Sequence, residues 1–350
     1  MALVNLGGLL HHALKHGYGV GAFNVPDYET LQAILDVAVE KRSPVILDVA
    51  EVHLKYIDLE EVAYVARRAA ERAPVPVALH LDHGETFETI VRAIRAGFTS
   101  VMFDGSRLPY EENVARTREI VRICHACGVT VEAELGRVLG GEGTRERFEA
   151  DPSLFTDPDQ AVDFVRRTGV DALAIAFGTA HGLYRGTPKL DFPRLEEIAR
   201  RTRIPLVLHG GTGVADEDFR RAIALGIAKI NYYTQLSLAG IEGIRRALEE
   251  DPEIGSYPLL LQKARESIRA VVRHQMEVFG SAGVCDRFPD LCVACEQCFP
   301  SSEPIEEPRP CELSTPEAPS ERLSEPQLRQ LVERVMRAVL EELPRRNGPA

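Results

Sequence analysis

Eight short apolar, β-branched runs recur along the first two thirds of the chain, and stretches with apolar residues at helical spacing separate them. The runs are GVGAFNV, PVILDV, VPVALHLD, TSVMFDG, VTVEAELG, DALAIAFG, IPLVLHGG and IAKINYY, ending at residue 233. A short apolar run bounded by turn residues marks a strand buried on both faces. YETLQAILDVAVEKR and TFETIVRAIRAG carry the helical period instead. Strand and helix units in strict alternation predict a parallel sheet, since each parallel pairing needs a long crossover. Eight units over about 250 residues predict a closed (β/α)8 barrel of the TIM type. A doubly wound open sheet is the alternative. It carries a glycine-rich fingerprint after its first strand, and GVGAFNV supplies none.

Composition narrows the function classes. No segment approaches the ~18 consecutive apolar residues that span a bilayer. The formal net charge of -12 excludes the basic footprint of a nucleic-acid or anionic-membrane surface. The opening MALVNLGGLLHHALKHGYG reads as a helix that starts the fold, not as a signal peptide. With no export signal, a cytoplasmic, reducing setting is expected for the seven cysteines. Cys124 and Cys127, in VRICHACGV, are expected in the core as thiols.

In a barrel, the C-terminal ends of the strands share one mouth, where the chemistry sits. Asn24 ends strand 1, Asp82 and His83 end strand 3, and Asp104, Gly105 and Ser106 end strand 4. Glu132 and Glu134 lie on strand 5, and His181 follows strand 6 in GTAHG. His209 ends strand 7 before GGTG, and Asn231 ends strand 8 with Thr234 just beyond. A lone histidine is most often a satisfied core or surface residue. Three at matching strand ends make a metal site with an open fourth position, the arrangement of a catalytic zinc. His83 is then a ligand, with Asp82 beside it as proton carrier. His80 shares the face of Asp82 one layer deeper and is expected as a buried, hydrogen-bonded support. His11, His12 and His16 fall on the first helix and are expected at the surface.

These stretches resemble the class II, zinc-dependent ketose-bisphosphate aldolases, which include fructose- and tagatose-bisphosphate aldolases. The resemblance rests on GAFNV, LHLDHG, SVMFDGS, VEAELGR, DALAIAFGTAHGLYRG with PKLDF, LVLHGGTG and GIAKIN, in that order, and runs on to FGSAG at 279–283. It implies reversible cleavage of fructose or tagatose 1,6-bisphosphate to dihydroxyacetone phosphate and an aldehyde phosphate. Another phosphorylated keto-sugar, or a barrel kept as a non-catalytic scaffold, is the alternative. The resemblance also implies roles. His83, His181 and His209 bind zinc, with Glu134 as an alternate ligand. Asp82 handles the C4 hydroxyl proton. Gly182, Gly210, Gly211, Thr212, Asn231 and Thr234 grip the phosphate, and Asn24, Asp104 and Ser106 line the pocket. A monovalent cation beside Asp104 and Ser106 is implied as well. The second acid belongs to the loop VLGGEGTRERFEADPS, where Glu142 is the choice and Glu146 and Glu149 the alternatives. Two departures touch the substrate pocket. Ala50 stands where the family has serine, and NYYTQ places Tyr233 and Gln235 where the family has a small or acidic residue and an acid.

The barrel is expected over 1–284, followed by a Pro/Ser/Glu-rich linker over 285–323 and an amphipathic helix over 324–344. Cys292, Cys295 and Cys298 form a Cys-x2-Cys-x2-Cys run with Cys285 and Cys311 nearby. That spacing suits a second zinc or an iron–sulfur cluster. The alternative is an unliganded, reduced tail. Leu328, Leu331, Val332, Val335, Met336, Val339, Leu340 and Leu343 share one helical face that needs a partner. Its pattern resembles the helices that carry cargo into bacterial microcompartments. Folding back on the barrel, or pairing in a homodimer or homotetramer, is the other reading.

Overall fold

A computed structural model describes residues 3–140, 147–289 and 291. Glu142, Glu146, Cys292, Cys295, Cys298, Cys311 and the expected helix over 324–344 lie outside the described residues. The strands are β1 Val20–Asn24, β2 Val45–Ala50, β3 Val77–Gly84, β4 Ser100–Phe103, β5 Thr130–Leu135, β6 Ala172–Ile175, β7 Leu206–Leu208 and β8 Ile227–Asn231. All pair in parallel, each with its sequence neighbours, and β1 closes on β8. The expected eight-stranded (β/α)8 barrel is therefore present.

Helix α1 Leu6–His16 precedes the barrel. Leu6, Leu9 and Leu10 of α1 are fully buried against Val20, Ile46, Ala78, Ala172 and Val207. Burying each such leucine contributes about 1.5–3 kcal/mol before entropy is counted. The barrel's lower layer is thus apolar. Moving up the same inward faces, the residues become polar: Asp48, His80, Ser100, Glu132 and Lys229, then Asn24, Asp82, Glu134 and His209, all buried.

Helices α2 Tyr28–Glu40, α3 Leu59–Ala70, α4 Phe87–Ala96, α5 Tyr110–Ala126, α6 Pro158–Thr168, α7 Phe192–Thr202, α8 Asp216–Ala224 and α9 Thr234–Glu250 connect and surround the strands. Side chains of Asp27, Thr86, Asp157 and Asp191 cap α2, α4, α6 and α7, each accepting from backbone N–H groups of the first turn. Each such cap contributes about 1 kcal/mol and starts its helix close behind the strand or loop that feeds it. Helix α10 Tyr257–Val278 packs on α2 and α9, and α11 Val284–Arg287 follows. After β5 the loop is tied to the loop after β6. Arg147–Phe148 pairs with Leu183–Tyr184, and Gly140 bridges to His181.

One cysteine expectation changes. Cys124 is buried, but Cys127 is exposed, because α5 ends at Ala126 and the chain turns out through Gly128 at φ 71. Cys285 is buried in α11 among core residues. Its N–H donates to the Arg42 carbonyl at 3.0 Å, which ties this residue to the barrel. No helix among the described residues is long and apolar enough to cross a membrane.

Candidate active site

In an ordinary strand Asp82 and His83 would face opposite sides of the sheet. Here they share the mouth because His83 is left-handed, at φ 49, and the register between β3 and β4 shifts between Leu81 and Gly84. The strand consequently runs two residues beyond its expected end. β7 stops early, at Leu208, since Gly210 turns the chain at φ 69. A Cβ at Gly210 would lie 2.3 Å from the Ala180 carbonyl oxygen, so no other residue fits this turn unshifted.

Histidines 83, 181 and 209 converge, with ring centroids 4.7–5.7 Å apart. One nitrogen from each lies within 4.8 Å of the others. Carboxylates orient two of the rings. His83 donates through Nδ1 to Asp104 at 2.9 Å, and His209 donates through Nε2 to Glu132 at 2.8 Å. Both tautomers are thereby set, and the remaining nitrogens, His83 Nε2 and His209 Nδ1, face each other 3.0 Å apart. Two bare lone pairs at that distance repel unless a proton or a metal cation lies between them. Two nitrogens on one tetrahedral zinc sit about 3.3 Å apart, given bonds near 2.0–2.1 Å. The donor set therefore fits a divalent ion on His83, His181 and His209, with Asp104 and Glu132 behind the ligands. Among the described residues, His83, Asp104 and Glu134 make a second such grouping.

Each carboxylate has a distinct environment. Burial opposes ionisation of Asp82, but the positive charge of His83, and then that of Lys229, outweighs it and holds the carboxyl far below its usual range. The Asn231 amide donates to Asp82 Oδ1 at 2.9 Å and the Asn24 amide to Oδ2 at 3.5 Å. Asn24, expected to line the pocket, and Asn231, expected at the phosphate, both hydrogen-bond Asp82. Asp104 uses both oxygens, one on His83 and one on the Ser106 N–H. Burial and then Asp104 push Glu134 up to about 8. Its Oε1 accepts from the Val138 N–H at 3.2 Å, and its buried Oε2 has no partner among the described residues. Glu132 is held near 2, because Lys229 and His209 overcome its burial.

His80 is fully buried and bonds Ser100 at 2.8 Å, as expected of a support. Burial keeps it neutral, down at about 3. On the other side of the mouth Thr212 accepts from the Gln235 N–H at 3.2 Å, and Thr234 opens α9, with Gly182 left-handed at φ 83. Glu149 is exposed beside the Arg147–Phe148 ribbon. A cavity of about 240 Å³ opens over His83, Asp104, Ser106, Glu134 and His181. Two larger grooves, about 960 and 610 Å³, lie between outer helices and hold none of these residues.

Three residues escaped the sequence reading. Lys229 reaches Glu132 at 2.8 Å and Asp48 at 4.0 Å, all three buried. Its signal was a lone cation inside the apolar run IAKIN. The Tyr184 hydroxyl accepts from the Ala180 N–H and donates to the Gly210 carbonyl, locking the loops that carry His181 and His209 together. His53, in the turn after β2, packs on Tyr233. Neither of these two carries a sequence signal, since both depend on loop packing.

Fold and site together define a (β/α)8-barrel enzyme with its reactive centre at the C-terminal mouth. Residues 4–284 match the family model described as fructose-bisphosphate aldolase class-II. A fructose-bisphosphate aldolase of Geobacillus stearothermophilus is 44% identical over 286 residues, 81% of this chain and 99% of the relative. The crystal structure of the YdjI aldolase from Escherichia coli K12 is 34% identical, with TM-score 0.71 over 81% of this chain and 99% of that one. A fructose-bisphosphate aldolase structure from Campylobacter jejuni, 22% identical with TM-score 0.68 over 79% of this chain and 94% of that one, shares the fold. The chain belongs to the class II fructose-bisphosphate aldolase family. It is an aldolase, a carbon–carbon lyase, and the scaffold alternative falls away.

Proposed function

We propose that this aldolase reversibly cleaves a phosphorylated ketose, fructose or tagatose 1,6-bisphosphate first, to dihydroxyacetone phosphate and an aldehyde. The observation that carries the metal-dependent form of this reading is the convergence of three imidazoles, one nitrogen of each within 4.8 Å of the others. His83, His181 and His209 would hold zinc, with Glu134 close enough to exchange in. When bound, the ion supplies a Lewis acid for negative charge developing on the keto half.

Asp82 takes the proton from the C4 hydroxyl. That oxygen's electrons form the aldehyde carbonyl as the C3–C4 bond breaks, and the bonding pair stays on the keto half as an enediolate. Protonation at C3 then gives dihydroxyacetone phosphate. Asn231 and Asn24 aim Asp82, and the surrounding positive charges keep it ionised between turnovers. Gly182, Gly210, Gly211, Thr212 and Thr234 are proposed to hold the phosphate, as glycine-rich turns at helix N-termini do. A monovalent cation near Asp104 and Ser106 belongs to the same reading, and Glu142 is the proposed second acid.

A second reading has a specific observation behind it. Ala50 is fully buried opposite Asp82 and offers no hydroxyl, while Tyr233 closes the same side with its ring. A ketose phosphate with a different aldehyde end fits that change. The tail is proposed as an appendage for assembly, in a homo-oligomer or with a shell partner, within the cytoplasm or a microcompartment. A coupled assay with fructose and tagatose bisphosphates tests the reading. Cleavage should vanish with a chelator and return with zinc or cobalt. Full turnover by metal-free protein, with a lysine trapped by borohydride, would overturn it.

A further inference from the structure

The aldehyde half of the substrate still lacks contacts, and Asp82 indicates where it lies. The carboxylate that deprotonates the C4 hydroxyl has the rest of the aldehyde beside it. Asp82 is held from β1 by Asn24 and from β8 by Asn231, and its register partner on β2 is Ala50. The aldehyde half therefore lies over β8, β1 and β2, away from Asp104 on the β4 side and Glu134 on β5.

Two turns leave the barrel there. Ala50 leads into the single turn Glu51–His53, and Asn231 leads through Tyr232 to Tyr233, the N-cap of α9. Their rings meet edge-on, centroids 4.7 Å apart at 64°, and so bridge the end of β1, which lies between β2 and β8. His53 is only 4% exposed. Its Nδ1 has no hydrogen-bond partner among the described residues. A buried polar nitrogen left unmatched costs free energy unless something else satisfies it. Burial, reinforced by Lys55, keeps this imidazole neutral against the pull of Asp82.

Among the described residues, Lys55, Arg107 and Arg137 point elsewhere. Lys55 is exposed and stands 4.9 Å over the exposed Tyr56 ring. Arg107 and Arg137 line the cavity on the side of Asp104 and Glu134. A phosphate at these two turns would meet two neutral rings. A hydroxyl would meet a buried imidazole nitrogen that has no partner among the described residues.

We infer that His53 and Tyr233 are the specificity wall for the aldehyde half, and that this wall takes a short, uncharged hydroxyaldehyde. His53 exchanges a hydrogen bond with the aldehyde's hydroxyl, and the Tyr233 ring supports both. The substrate class is then a ketose 1-phosphate with an uncharged far end. This rests on the aldolase reading and takes its second substrate, the ketose phosphate with a different aldehyde end, in place of the bisphosphate, so the test separates the two.

Condensation of dihydroxyacetone phosphate is measured with glyceraldehyde and with glyceraldehyde 3-phosphate. Proton exchange at C3 of dihydroxyacetone phosphate alone is followed in parallel, because it needs only the keto half. The wild-type chain should use glyceraldehyde at least as well as its phosphate, by kcat/KM. His53→Ala should lower kcat/KM for glyceraldehyde about tenfold, chiefly through KM, and lower the exchange far less. His53→Gln, which keeps a hydrogen-bonding group, should recover part of the loss. Intact exchange with a strong preference for the phosphorylated aldehyde overturns the wall alone. An equal fall in exchange and in both condensations for His53→Ala also overturns it, since that marks a structural role. Absent exchange in the wild-type chain overturns the aldolase reading, and this inference with it.

Discussion

The left-handed backbone at His83 costs an L-residue strain, and the site depends on it. It lets neighbouring residues present the proposed proton carrier and the proposed ligand to one mouth, with Asn231 and Asn24 turning Asp82 toward β8 and β1 while Asp104 turns His83 toward β4. Asp82→Ala should keep the bound ion, since the three imidazoles and their carboxylates are untouched, and lower kcat about 10²–10⁴-fold. Metal content and single-turnover cleavage check this; wild-type cleavage by the variant would remove Asp82 from its role. Asp82 and the three histidines were legible because polar residues ending apolar runs stand out. The hydrogen bonds of Asn24 and Asn231 to Asp82 were not, because a strand-end amide carries no sign of which carboxylate it meets.

At the scale of strands, the barrel interior is a graded stack, apolar at α1 and charged at the mouth. Lys229 on β8 anchors that gradient by joining Glu132 on β5 and Asp48 on β2. Lys229→Met leaves two buried carboxylates without their cation and should cost about 3–5 kcal/mol. Adding Glu132→Gln should recover part of that stability while leaving His209 poorly oriented. Urea unfolding of the single and double variants measures the first effect, and metal affinity the second. Additive losses of stability would mean that the pair does not interact. All eight strands were visible as apolar runs, yet β3 ended late and β7 early. Those ends are set by a positive φ at His83 and a turn at Gly210, which apolar patterning cannot register.

For the whole molecule, the alternation of strand and helix fixed the barrel, but patterning could not place the seam between barrel and tail. Cys285 and Leu291 are buried, so the packed body runs past the expected boundary at 284. Ending the chain after Leu291 should leave a folded enzyme with near-normal turnover and altered association. Leu331→Asp should alter association in the same way. Size-exclusion profiles and specific activities decide; lost turnover on truncation would place the tail in the active site. His83, His181 and His209 are proposed to hold the ion on which cleavage depends. Returning zinc to metal-free protein while bound ion and cleavage are measured together, in the wild-type chain and in His209→Ala, tests this. Wild-type turnover should rise in proportion to the ion that His209→Ala fails to bind, with no cleavage by the variant. Full cleavage before any zinc is added, or wild-type cleavage by His209→Ala, would contradict it.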